Sequence, residues 1–216
     1  MKGLLLKDIY MAVKYCRLYV LMALIFALVS VWSDNLLFAA YPVLLASAVP
    51  VNLLAYDEKD KWALCAGALP VTRAQLVSVK YLMTLIALGI SLLFAGLGLS
   101  VNALATGGAH VSALLSYLCL FFGAGLLCPA LMLPIVFRLG VEKGRFVYIC
   151  VLLLFFGLLS AAGVLGAAMG ASFEALALSA GQIAGLLALM LLLCAALFAG
   201  SWLLSVRVYA KRDLPF

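Results

Sequence analysis

Few side chains in this sequence could carry chemistry, and their spacing withholds most kinds of it. There is one histidine, His110, and the six cysteines (Cys16, Cys65, Cys119, Cys128, Cys150 and Cys194) include no C-x-x-C pair, so the pattern is not that of a zinc site. H-E-x-x-H, G-x-S-x-G and paired carboxylates inside an apolar run are absent as well, which predicts a chain with no catalytic, cofactor or metal residues. Without a G-x-x-x-x-G-K-[ST] motif it binds no nucleotide through a P-loop. Nor does any ionisable residue stand near the middle of an apolar run, where an ion-coupled carrier needs one. Work done by this chain therefore requires energy from a partner.

The polar residues that do exist concentrate between 56 and 80. Asp57 and Glu58 suit the start of a helix, where carboxylates meet the positive dipole end. Trp62, Cys65, Ala66 and Leu69 recur at helical spacing, so a short amphipathic helix is expected over about 58–68, ended by Leu69-Pro70. Thr72-x-x-Gln75 is a capping box that starts the next helix through Lys80. Two readings fit this segment equally well. In one, Trp62 anchors a solvated helix at the headgroup layer. In the other, Trp62 is the buried anchor of a docking helix for a separate protein, with Asp57, Glu58, Lys59 and Lys61 as polar contacts. The shorter segment 138–145, with Arg138, Glu142, Lys143 and Arg145, is either a basic turn that fixes topology or a minor contact.

The surrounding elements must span a membrane. Of 216 residues 69% are hydrophobic and 10% charged, with a mean hydropathy of +1.29, and 14 basic plus 8 acidic side chains cannot clothe a water-soluble globule. The net charge of +6 is not a nucleic-acid footprint, since no basic face with interleaved aromatics accompanies it. Because a spanning helix takes about 20 apolar residues, the charge-free stretches predict six spans at about 18–33, 36–55, 81–103, 113–137, 146–168 and 181–206. The third and fourth are divided by the turn-rich Thr106-Gly-Gly-Ala-His110. All 14 Lys and Arg fall on one side of this arrangement and Asp34, His110 and Glu174 on the other, which places both termini in the cytoplasm. No A-x-A cleavage site follows the first apolar run, which disfavours a signal peptide. Residues 3–16 instead read as an interfacial helix, with Leu5, Leu6, Ile9, Ala12, Val13 and Cys16 on one arc and Lys7 and Lys14 opposite. The fold class expected is thus all-α: a single polytopic membrane domain over 1–216, with an interfacial helix, six spans and a polar inner loop at 56–80. Pro42, Pro50, Pro129 and Pro134 fall in spans two and four as static kinks or as hinges. Ala162, Gly166 and Gly170 form a small-residue stripe in span five.

Tyr56-Asp57-Glu58 followed by Trp62, then Leu69-Pro70-Val71-Thr72-Arg73 and Val77-x-x-Lys80-Tyr81-Leu82, resembles the signature of ABC-2 type transporter permeases, the small six-span kind whose ATPase is a separate chain. The start through Lys7-Asp8, the loop Phe137 to Arg145 and the end Ser205 to Arg212 are similar to that family too, so the resemblance covers the whole chain. It implies that the helix between spans two and three is a coupling helix, seated in a cleft of the ATPase. The matching positions are Tyr56, Asp57, Glu58, Lys59, Lys61, Trp62 and Leu69, with Arg73 beside them. Segment 171–180 resembles the family's short re-entrant outer helices; otherwise it is an interfacial loop. The resemblance further implies a bacterial plasma-membrane location, a second permease subunit, identical or not, and ATP and Mg held by the partner. An apolar, uncharged lining suits lipid-like, amphipathic-peptide or drug substrates, with peptide export the preferred expectation. The competing expectation, from a different class, is a non-transporting membrane scaffold or sensor partner.

Overall fold

An apolar chain in lipid has no water to satisfy its backbone, so each long apolar run must close its hydrogen bonds internally as a helix. The computed structural model describes residues 2–15, 17–32, 36–68, 70–106, 111–144, 146–147, 149–150 and 180–210, and among these every regular element is helical. In chain order they are α1 (Lys2–Tyr15), α2 (Arg17–Trp32), α3 (Leu36–Lys59), the six-residue α4 (Trp62–Gly67), α5 (Arg73–Thr106), α6 (Val111–Leu139) and α7 (Ala180–Ala210), with further helical turns at 141–144.

Four of the described helices are long and apolar enough to cross a membrane: Phe38–Lys59, Arg73–Leu104, Leu114–Leu139 and Ala184–Ala210. A fifth crossing is reached if α1 and α2, bent by 68° at their junction, count as one. Alone, α2 has 16 residues, fewer than the roughly 20 a straight crossing needs. The expected span 146–168, the stripe Ala162, Gly166 and Gly170, and the segment 171–180 lie almost wholly outside the described residues. The stretch 81–137 is two helices, α5 ending at Thr106 and α6 beginning at Val111.

Three helices, α3, α5 and α6, carry the packing. Ala39, Val43 and Ala46 of α3 meet Leu88 and Ala95 of α5 and Phe121 and Leu126 of α6 in one buried cluster. There Gly125 gives room for close approach, since a Cβ on it would stand 2.7 Å from Leu88 Cδ2 and 2.8 Å from Val43 Cγ1. A second cluster joins Val77 and Tyr81 of α5 to Leu133 and Phe137 of α6, against Phe198, Val206 and Tyr209 of α7. The outer helices are different. Leu18, Leu21, Ile25 and Leu28 of α2 and Leu186, Leu189, Leu193 and Leu197 of α7 are exposed, which is the surface a helix turns to lipid. Pro42 and Pro50 sit inside α3, and Pro129 and Pro134 inside α6.

Candidate functional site

Polar side chains collect at one end of the bundle, where the start of α1, the end of α3, α4, the start of α5 and the turn after α6 meet. They enclose an open cavity of about 990 Å³, whose lining includes Asp57, Glu58, Lys59, Lys61 and Trp62 from one loop and Glu142 and Lys143 from the other. The two segments singled out for their polarity thus face one space.

The loop after α3 departs from the expected helix over 58–68. Asp57 and Glu58 belong to the last turn of α3, and the chain breaks at Lys61, whose φ of 50° and ψ of 36° place it in the left-handed region, before α4 starts at Trp62. Two carboxylates at a helix C-terminus oppose the dipole, which favours cations there. What holds them is partnership. Asp57 accepts from Lys7 Nζ and lies 2.6 Å from Lys80 Nζ, while Glu58 Oε2 accepts from the Val141 N–H at 2.9 Å. The Val141 amide is an orphan donor at the start of the turns 141–144, so Glu58 caps that helical start from across the cavity. Gly140 makes the turn possible with a φ of 86°, a value that favours glycine.

Lys7, Asp8, Asp57 and Lys80 close into a ring in which each ammonium touches both carboxylates. Lys80 Nζ stands 2.8 Å from Asp8 Oδ2, and Lys7 Nζ 3.4 Å from Asp8 Oδ1. The side chains of Asp8 and Lys80 are 2% and 6% exposed, and Lys80 Nζ makes its contacts without hydrogen-bond alignment, so its hold is Coulombic. Two positive and two negative charges cancel, which is the condition under which such groups can be buried. Lys7 Nζ also lies 4.2 Å from the centre of the Trp62 ring, a cation–π contact that brings α4 to the same group.

This corrects the sequence reading of α1. The residues it buries are Leu4 and Asp8, one turn apart; of the expected arc Leu5, Ile9 and Ala12 pack against Val49, Leu53 and Met83 while Leu6 and Val13 are exposed, and Lys7 turns inward rather than away. The helix buries a carboxylate because Lys80 is there to meet it. Sequence reading missed Asp8, Lys7 and Lys80 as site residues. The available signal was Asp8 at i+4 from Leu4, the one carboxylate of a helix whose other charges are the lysines Lys2, Lys7 and Lys14.

The other candidates are more dispersed. Tyr56 stacks on Tyr15 with centroids 4.3 Å apart, tying α3 to α1. Trp62 is half-buried; Lys59 and Lys61 are exposed on the cavity lining. Arg73 lies away from that lining and donates from Nη1 to the Ala210 carbonyl at 2.7 Å, satisfying an acceptor at the end of α7. Arg138 is exposed in the last turn of α6. Leu69 and Arg145 are outside the described residues. The capping box forms as read: Gln75 N–H donates to Thr72 Oγ1 at 3.3 Å and Thr72 N–H to Gln75 Oε1 at 3.1 Å.

Deeper in the bundle is a second polar group, built from neutral side chains. Tyr81 Oη is 2.7 Å from Ser201 Oγ and 2.8 Å from Ser205 Oγ, and Ser201 donates to the Ala130 carbonyl, so the group joins α5, α6 and α7. No cluster of three or more His, Cys, Asp or Glu able to hold a metal ion occurs among the described residues.

Long apolar helices around a charged end define a multi-pass helical membrane protein. Its sequence matches the ABC-2 family transporter proteins over residues 3–210, nearly the whole chain, and the protein belongs to that family of membrane transport subunits. No curated protein and no solved structure gives a significant match.

Proposed function

We propose that this chain is the membrane-spanning permease subunit of an ATP-driven exporter whose ATPase is a separate protein docking at the charged end. The observation that carries this reading is the meeting of two loops around one open cavity in a chain of the ABC-2 family: α4 with Trp62 on one side and Glu142 and Lys143 on the other. A half-buried tryptophan among exposed lysines has the make-up of an interface anchor with a polar rim. ATP and Mg belong to the partner, and a second permease subunit, identical or not, completes the path. The expected six-span arrangement has all 14 basic residues on one side, that of segments 56–80 and 138–145, which supports a cytoplasmic cavity and cytoplasmic termini; the bacterial plasma membrane is the location the family resemblance implies. The cargo is amphipathic or apolar, an amphipathic peptide first among the candidates, because the spans offer no mid-bilayer charge to an ion or sugar. Nucleotide and cargo bias the same two-state assembly, so each changes the other's binding.

The test is co-purification with a candidate ATPase followed by hydrolysis and transport assays in vesicles. The chain alone is expected to hydrolyse nothing and to move nothing under a proton or sodium gradient. With the ATPase present, hydrolysis appears and responds to the cargo. Gradient-driven transport without an ATPase overturns the reading.

A further inference from the structure

The docking reading above names residues of the loop after α3, yet Asp57 at its base is held by residues from elsewhere. We infer that Lys7 is the positioning residue for that loop, with Asp8 and Lys80 balancing the charge around it, and that α1 is thereby a working part of the docking end rather than only a membrane anchor; this rests on the docking reading for its purpose. The ring has a property that makes the inference testable. Each cation touches both anions, so removing one of each sign leaves a neutral pair, but which helices that pair still joins depends on the choice. Without Lys7 and Asp8, the remaining Lys80–Asp57 pair joins α5 to α3 and α1 keeps no ionic tie to the loop. Without Lys80 and Asp8, the remaining Lys7–Asp57 pair still joins α1 to α3. Helices α3 and α5 already pack through Val49, Leu53 and Met83, so the pair between them duplicates an existing contact. Helix α1 also packs on that cluster, through Leu5, Ile9, Met11 and Ala12, and stacks Tyr15 on Tyr56, but these contacts are with α3 and α5 and not with α4. Lys7 alone also reaches α4, over the Trp62 ring.

The experiment is hydrogen exchange on the full chain in lipid nanodiscs, with no ATPase and no cargo, following peptides that cover 58–68 and 140–144. Lys7→Met/Asp8→Asn is expected to speed exchange in both peptides by about tenfold, because α4 loses the Lys7 ammonium over Trp62 and the last turn of α3, which carries Glu58 to the Val141 N–H, loses its ionic tie to α1. Lys80→Met/Asp8→Asn is expected to stay within about twofold of the parent. A role confined to charge balance moves both variants equally, and equal rates, raised or unchanged, overturn the inference. If the first double variant is not recovered folded, Lys7→Gln against Asp8→Asn carries the same comparison at the most exposed member of the ring, with faster loop exchange expected in Lys7→Gln alone. The readout is independent of transport, so a failed search for an ATPase leaves it standing, and a null result here leaves the permease reading standing.

Discussion

The two buried polar groups of this bundle do similar jobs with different chemistry. At the charged end, four ions join α1, α3 and α5. Further in, three hydroxyls join α5 to α7, with a carbonyl of α6 completing the set. Full charges are costly without water, and the ring survives by being neutral in sum and by lying beside an open cavity. Hydroxyls are tolerated deeper, because they carry no full charge to desolvate and the two serines can fall back on a carbonyl of their own helix. The ion ring is therefore a strong tie whose charges can be removed only in balanced pairs, and the hydroxyl group a weak, replaceable one. Helix α5 belongs to both, through Lys80 and Tyr81 at adjacent positions.

That contrast can be broken most forcefully at Lys80. Lys80→Met strands two buried carboxylates with one cation and is expected to destabilise the protein by about 3–5 kcal/mol in denaturation from nanodiscs. A loss below about 1 kcal/mol would mean that the ring is solvated and that the contrast fails. Beside the ring, Trp62→Ala removes the anchor that Lys7 covers and is expected to weaken assembly with the ATPase by about 2 kcal/mol, read by titration. Unchanged affinity would reduce Trp62 to a headgroup anchor. Thr72→Ala removes the cap of the helix shared by both groups and is expected to cost about 1 kcal/mol. Tyr81→Phe is expected to be the mildest, about 0.6 kcal/mol, since Ser201 keeps its carbonyl partner. A Tyr81→Phe loss as large as that of Lys80→Met would erase the distinction between the two groups.

Local signals in the sequence were legible where their cause was local. The Thr72/Gln75 box needs only four residues, and the apolar lengths of the long helices follow from charge-free runs, although α3 runs on through charged residues to Lys59 and α5 begins at Arg73, before its run. The loop after α3 was misread because Lys61 takes a left-handed conformation that nothing in its neighbourhood announces, so Asp57 and Glu58 end one helix instead of starting another. The orientation of α1 was misread for a different reason. A hydrophobic arc shows which face avoids water, but lipid and protein both satisfy that demand, and only the distant Asp57 and Lys80 decide which way Lys7 and Asp8 turn. The ring itself joins positions about 50 and 70 apart in the chain, beyond the reach of any periodicity. What was legible of the candidate site was its composition, a tryptophan among charges; that two loops share one cavity was not.

The central claim is that the ATPase meets this chain at the end bearing α4 and the 140–144 turn. Photo-crosslinking tests it directly, with a reactive residue placed in turn at Trp62, Lys143, Trp32 and Leu104 in the assembled complex in vesicles. The account predicts adducts with the ATPase from 62 and 143 and none from 32 or 104, which lie at the opposite ends of α2 and α5. Adducts from 32 or 104, with none from 62 and 143, would contradict it.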